Sequence, residues 1–106
     1  MDRKIYLIIT KYKQNLEALG IKVKKIILYG SYVSGKIKEE SDIDLVVVSD
    51  SFRNMDLWER LCLLGQARMG IKIPIEIIGL DEEEFNEEHS GTFIGDEVKA
   101  KGVEII

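Results

Sequence analysis

Apolar positions along this chain switch between two periods. Ile5, Ile8 or Ile9, Tyr12, Leu16 and Leu19 recur at steps of three and four, which predicts an amphipathic helix over residues 3–19 that Gly20 stops. Residues 23–29 are rich in β-branched side chains and predict a first strand closed by Gly30. A polar excursion with a short helical turn, closed by Gly35, leads to a second strand over residues 42–48. There Ile43, Leu45 and Val47 point into a core, while Asp42 and Asp44 share the opposite face. A helix is predicted over about residues 56–69, opening on Asp56 and Glu59 at capping-box spacing. Trp58, Leu61, Cys62, Gly65 and Met69 form one stripe, with Leu57 and Leu64 alongside, and the pattern assigns Trp58 and Cys62 to the core. Residues 71–78 alternate strictly: Ile71, Ile73, Ile75 and Ile77 face one way, Lys72, Pro74, Glu76 and Ile78 the other. Pro74 cannot donate to a ladder, so this strand belongs at a sheet edge or is bulged there. Asp81 and the three glutamates after it read as a helix start suited to the dipole, with Phe85 as anchor. A helical stretch over residues 92–100, Gly102 and a last strand over residues 103–106 follow. The fold class is α/β (α+β): a small mixed β-sheet with helices packed on it.

Composition narrows the class. A chain of 106 residues holds one core, so residues 1–106 are expected to form a single domain. With 45% apolar and 32% charged residues, disorder is excluded. No apolar run nears the ~18 residues needed to span a bilayer, and no secretory pattern opens the chain. A cytoplasmic protein without membrane contact is expected. Cys62 has no internal disulfide partner, no Cys/His cluster offers a zinc site, and His89 reads as a surface residue near a helix end. The net charge of −4 is unevenly spread: residues 1–38 carry nine Lys/Arg against two acids, residues 39–106 six against seventeen. Such an acidic protein is a poor partner for long nucleic acid. Two solvated faces of opposite sign are the simple reading, although Lys22, Lys24 and Lys25 are also placed to border a site for a small polyanion.

The chemistry concentrates between Tyr29 and Val48. Asp42 and Asp44 lie on one face of a strand with Cα atoms roughly 6.5 Å apart, and two carboxylates so placed repel unless a cation lies between them. Mg²⁺ commonly uses one or two carboxylates plus substrate phosphates. Gly30-Ser31 supplies a turn where backbone can approach a ligand, with the Ser31 hydroxyl at hand as a cap or contact. Lys36 and Lys38 add positive charge nearby, as phosphate ligands or as solvated loop residues. Glu76 is either a solvent-facing charge that guards an edge strand or the third carboxylate of the metal site.

Gly30-Ser31, ten intervening residues, then Asp42-Ile43-Asp44 and an acid on a later strand resemble the nucleotidyltransferase superfamily that includes DNA polymerase beta. The Gly-Ser-Tyr opening and short length look like its minimal nucleotidyltransferase (MNT) branch, commonly encoded beside a HEPN-domain protein as a toxin–antitoxin pair. The resemblance covers nearly the whole chain and implies a catalytic palm domain. It implies that Gly30 and Ser31 hold the triphosphate of ATP, with Lys36 as the substitute for an arginine this chain lacks, and that Asp42, Asp44 and Glu76 bind two Mg²⁺ ions. The implied reaction is attack of an acceptor hydroxyl on the α-phosphorus, with Glu76 helping to deprotonate it. The implied acceptor is a HEPN toxin tyrosine, the toxin and this antitoxin forming a hetero-oligomer. Two positions depart from the pattern: Ser34 stands where the branch often has arginine, and Glu76 where the third acid is usually aspartate. Ser34 favours an alternative in which the chain neutralises its partner by occlusion alone. A small-molecule hydroxyl is a third acceptor class, for which the chain offers no second lobe.

Overall fold

The computed structural model describes residues 3–37, 42–88 and 90–106. The expectations for Lys38 and His89 therefore lie outside the described residues. Helix α1 (Arg3–Ala18) buries Ile5, Ile9, Tyr12 and Leu16 of the predicted stripe, while Leu19 lies past its end and is exposed. Strand β1 (Lys25–Tyr29) follows, then the one-turn helix α2 (Ser31–Ser34) and strand β2 (Ile43–Val48). A 3₁₀ turn at Asp50–Phe52 leads to helix α3 (Leu57–Gln66), strand β3 (Ile75–Leu80) and helix α4 (Glu82–Glu87). A π-helical segment, Ile94–Lys99, precedes the short strand β4 (Val103–Glu104).

The four strands lie in the order β3-β2-β1-β4. β1 pairs antiparallel with β2 and β4, while β2 and β3 run parallel through the α3 crossover. Strand alternation then divides the core into two layers. Ile43, Leu45, Val47 and Ile75 pack with Ile9, Tyr12, Leu16 and Leu64 from α1 and α3. Val46, Val48, Ile27 and Tyr29 pack on the other face with Phe85, Ile94 and Val98. α1 also holds the end of α3 by hydrogen bonds: the Tyr12 hydroxyl donates to the Leu64 carbonyl at 2.7 Å, and the Asn15 amide to that of Ala67 at 2.8 Å. Asp56 and Glu59 form the capping box their spacing predicts, and Asp81 with Glu84 forms a second one at the helix start expected from its acidic run.

Two expectations need correcting. The third strand begins at Ile75, after Pro74 rather than through it, and extends to Leu80. Pro74 contributes only its carbonyl, which accepts from Ile43 N–H at 3.0 Å; the proline ring has no N–H to continue the ladder. The edge position inferred from Pro74 holds, and the inward parity of Ile75 and Ile77 survives the shift. The second correction concerns α3. Leu57, Trp58, Leu61, Cys62 and Met69 are exposed, whereas Arg60 and Leu64 are buried. Arg60 takes the inward position because its guanidinium is saturated there. It donates to the carbonyls of Phe52 at 2.8 Å and Gly79 at 3.2 Å and to Glu84 at 2.6 Å, while its Nε reaches the Met55 carbonyl at 3.1 Å. A buried cation with this many acceptors outcompetes the apolar stripe that spacing alone selects.

Candidate active site

Sheet register assembles the site. Tyr29 pairs with Asp44 across the antiparallel ladder, and Asp44 with Glu76 across the parallel one. Directly opposed residues present their side chains to the same face, so Tyr29, Asp44 and Glu76 form a row across the sheet. The third acid thus lies on the same side as Asp44, at the strand ends where β1 turns into α2. Asp42 immediately precedes β2 and adds its charge to the group.

The electrostatics are those of crowded carboxylates. Burial holds the Asp44 carboxyl above its usual range, reinforced by the charges of Glu76 and Asp42, and the Glu76 carboxyl is within hydrogen-bonding reach. The Tyr29 phenol is pushed up to about 12, first by burial and then by Asp44 and Glu76, so it remains a neutral donor. Its ring meets Phe93 edge-on at 5.7 Å, a wall beside the carboxylates that no sequence motif marked.

Gly30 brings the turn against this row. Its φ of 76° lies in the region that glycine tolerates, and a Cβ built there would fall 2.3 Å from Asp44 Oδ2. Gly30 itself is the N-cap of α2, and no side chain caps that turn, so the capping role offered to Ser31 is not taken up. Ser31 instead lines a cleft of about 460 Å³ with Gly30, Val33, Ser34, Lys36, Glu97 and Lys101. Lys101 escaped sequence reasoning. Only the pairing of Val103 with Leu28 in β4 and β1 carries it beside the glycine turn, some seventy residues away in the chain. Its ammonium sits 3.3 Å from Glu97.

Other lysines are placed elsewhere. Lys25 pairs in register with Val48 and Tyr29 with Asp44, so Lys25 and the adjoining Lys24 lie at the opposite end of β1. Lys24 bridges Asp50 and Glu82, and Lys25 faces Glu104 at 3.7 Å. The basic cluster at residues 22–25 does not border the carboxylates.

The donor chemistry suits a hard divalent cation, whose charge would relieve the repulsion around Asp44. Among the described residues no group of three or more Asp, Glu, His or Cys side chains is placed to hold a metal ion by itself. An open set of carboxylates, completed by oxygens of a bound phosphate, is the arrangement Mg²⁺ commonly takes. The residues therefore fit such an ion only together with its substrate.

A mixed four-stranded sheet thus carries Asp44 and Glu76 at its strand ends beside a glycine turn. Residues 9–104 match the nucleotidyltransferase domain family, and the chain belongs to it. It is a nucleotidyltransferase by class. Over 72 residues it is 39% identical to the putative protein adenylyltransferase MJ0604 of Methanocaldococcus jannaschii, covering 68% of each chain. Two solved structures share its fold. A putative nucleotidyltransferase from Sulfolobus solfataricus superposes with a TM-score of 0.67 at 19% identity, covering 95% of this chain and 78% of that one. A toxin–antitoxin crystallised with AMP-PNP superposes with a TM-score of 0.61 at 18% identity, covering 92% and 71%. No described helix is long and apolar enough to cross a membrane.

Proposed function

We propose that this nucleotidyltransferase moves AMP from ATP to a hydroxyl on a partner protein, a HEPN-domain toxin tyrosine, and so acts as an antitoxin in the cytoplasm. The observation that carries the reading is the direct opposition of Asp44 and Glu76 beside Gly30. The relative named a protein adenylyltransferase and the toxin–antitoxin fold neighbour support a protein acceptor. Gly30, Ser31, Lys36 and Lys101 receive the triphosphate, and Asp42, Asp44 and Glu76 would hold the Mg²⁺ ions. Those ions supply charge neutralisation on the phosphoryl oxygens. Glu76 takes the proton of the acceptor hydroxyl as its oxygen bonds to the α-phosphorus. The bond from that phosphorus to the bridging oxygen breaks, and pyrophosphate leaves. Positioning and electrostatic stabilisation account for most of the acceleration.

The test is incubation with α-labelled ATP, Mg²⁺ and the product of the adjoining reading frame. Wild-type protein transfers label, and Asp44→Asn lowers transfer by at least about 100-fold. Absence of label on any protein with the wild type would sink the reading. Ser34, a neutral side chain in the phosphate cleft, favours a second reading in which the chain silences its partner by binding alone. Neutralisation that survives Asp44→Ala selects this one.

A further inference from the structure

The inward turn of Arg60 leaves α3 with an apolar outer face. On the helix Leu57 is 72% exposed, Trp58 73% and Leu61 50%; Met69, in the turn that follows it, is 76% exposed, and Phe93 nearby 55%. Scattered apolar side chains on a surface need no explanation; several large ones along a single helix do. Beneath them run two adjoining clefts. One, of about 410 Å³, lies between α3 and β3 and includes Leu57, Leu61 and Leu80. The other, of about 540 Å³, shares Leu61, Leu64, Ile77 and Ile78 with the first and continues to Phe93, Tyr29 and Glu76. Together they form one trough along the outer side of β3, the terminal strand of the sheet.

We propose that this trough and the outer face of α3 seat the protein that carries the acceptor hydroxyl. The inference rests on reading the site as a protein adenylyltransferase and adds where the acceptor docks. Sheet order separates the two approaches. The phosphate cleft of Gly30, Ser31, Lys36 and Lys101 lies on the β1–β4 side, the trough on the β3 side, and Asp44 stands between them. In-line displacement needs the attacking hydroxyl opposite the leaving pyrophosphate, and approaches from the two sides of Asp44 allow that geometry. A chain lying in the trough presents its groups to Glu76, the carboxylate placed to receive the proton. A second copy of this protein in the same trough would cover Glu76 and shut the site against any acceptor, so self-association is the less fitting occupant. The partner surface is mainly apolar, with polar groups where it meets Glu84 and Arg68 and a hydroxyl-bearing side chain at the end that meets Glu76 and Tyr29.

Trp58 is the only tryptophan in the chain and reports directly on this face. The experiment titrates the product of the adjoining reading frame into the transfer-deficient Asp44→Asn protein, following Trp58 emission and complex formation. The expected result is a shift to shorter wavelength as the indole leaves water. Leu61→Glu, in the same background, weakens the complex by at least about tenfold, as expected for a central apolar contact. In the active protein Leu61→Glu lowers label transfer to the partner and leaves Mg·ATP affinity unchanged. Trp58→Glu, at a still more exposed position, gives the same loss of complex if Leu61→Glu fails to fold. Equal binding and labelling by wild type and both variants overturns the proposal. So does a wild-type dimer that these variants dissociate without any effect on labelling, which would make the face a self-interface. If the wild type forms a complex sensitive to Leu61→Glu but transfers no label, the transferase reading falls and the docking face stands. No complex with the wild type overturns the face itself.

Discussion

Gly30 and Asp44 share a space that no side chain on residue 30 could enter, since a Cβ there would sit 2.3 Å from Asp44 Oδ2. The turn's glycine thus has two independent reasons to be glycine. Its φ of 76° with ψ of −147° lies in a region open essentially to glycine, a cost of roughly 1–3 kcal/mol for an L side chain, and a methyl group would displace the carboxylate. Gly30→Ala is therefore expected to lower Tm by several degrees and to reduce activity far more than that loss of stability explains. The discriminating measurement is transfer activity at a temperature where circular dichroism shows the variant fully folded. Activity near wild type there would mean that Asp44 moves aside without consequence.

The crowding around Asp44 works against the fold that carries it. Burial, then Glu76, then Asp42 raise its folded carboxyl above the ordinary value of 3.8. Raised means that the folded state binds the proton more tightly than the unfolded chain. Stability from this group is complete below the unfolded value and is lost as pH rises through the folded one. At neutral pH the ionised Asp44 is a net destabilising group. Asp44→Asn should raise Tm of the metal-free protein, flatten the fall in stability above about pH 4, and abolish transfer. Thermal unfolding in EDTA across pH reads the first two; Mg²⁺ together with ATP should raise Tm of wild type more than that of the variant.

How much of this was legible in the sequence varies with range. Alternation placed Ile43, Leu45 and Val47 in one layer and Asp44 in the other, the capping-box spacing of Asp56 and Glu59 marked one helix start, and the acidic run from Asp81 marked another. These are local rules, and locally they held. The placement of Glu76 beside Asp44 depends on a strand register that spacing cannot supply; alternation and the Asp pair offered Glu76 as third carboxylate or as edge guard, and the parallel pairing sets it opposite Asp44. Lys101 and Phe93 were missed because sheet pairing and side-chain packing, not motif, bring them to the site. α3 was misassigned for a different reason. A stripe of Leu57, Trp58, Leu61 and Met69 is the signature of a buried face only if nothing competes for the inside, and the acceptors around Arg60 compete successfully.

Arg60 gives a stability prediction that follows from this inversion. Its guanidinium satisfies the carbonyls of Phe52 and Gly79 and lies over the Phe52 ring at 5.8 Å from its centroid. Arg60→Ala strips those carbonyls of their donor and opens a void, an expected cost of about 2–4 kcal/mol. Urea denaturation measures it. Arg60→Lys should recover less than half of the loss, because an ammonium cannot reproduce the planar fork. A loss under about 0.5 kcal/mol for Arg60→Ala would mean that water or Glu84 rearrangement replaces these bonds.

Lys101 tests the phosphate side of the site. It shares a cleft with Gly30, Ser31 and Lys36 and is held by Glu97 at 3.3 Å, an exposed pair that contributes little to stability by itself. A triphosphate entering the cleft competes with Glu97 for the same ammonium. Lys101→Gln should therefore weaken Mg·ATP binding by about five- to tenfold, while Glu97→Gln leaves binding unchanged or tightens it by about twofold. Lys101→Arg should retain most of the affinity, since charge at this position matters more than shape. Isothermal titration at two salt concentrations separates this from a folding defect. A loss of charge contact shrinks as salt rises, whereas a distorted site binds poorly at both. If Lys101→Gln binds as the wild type does, the phosphates lie closer to Lys36, and the matching Lys36→Gln variant should then show the larger loss.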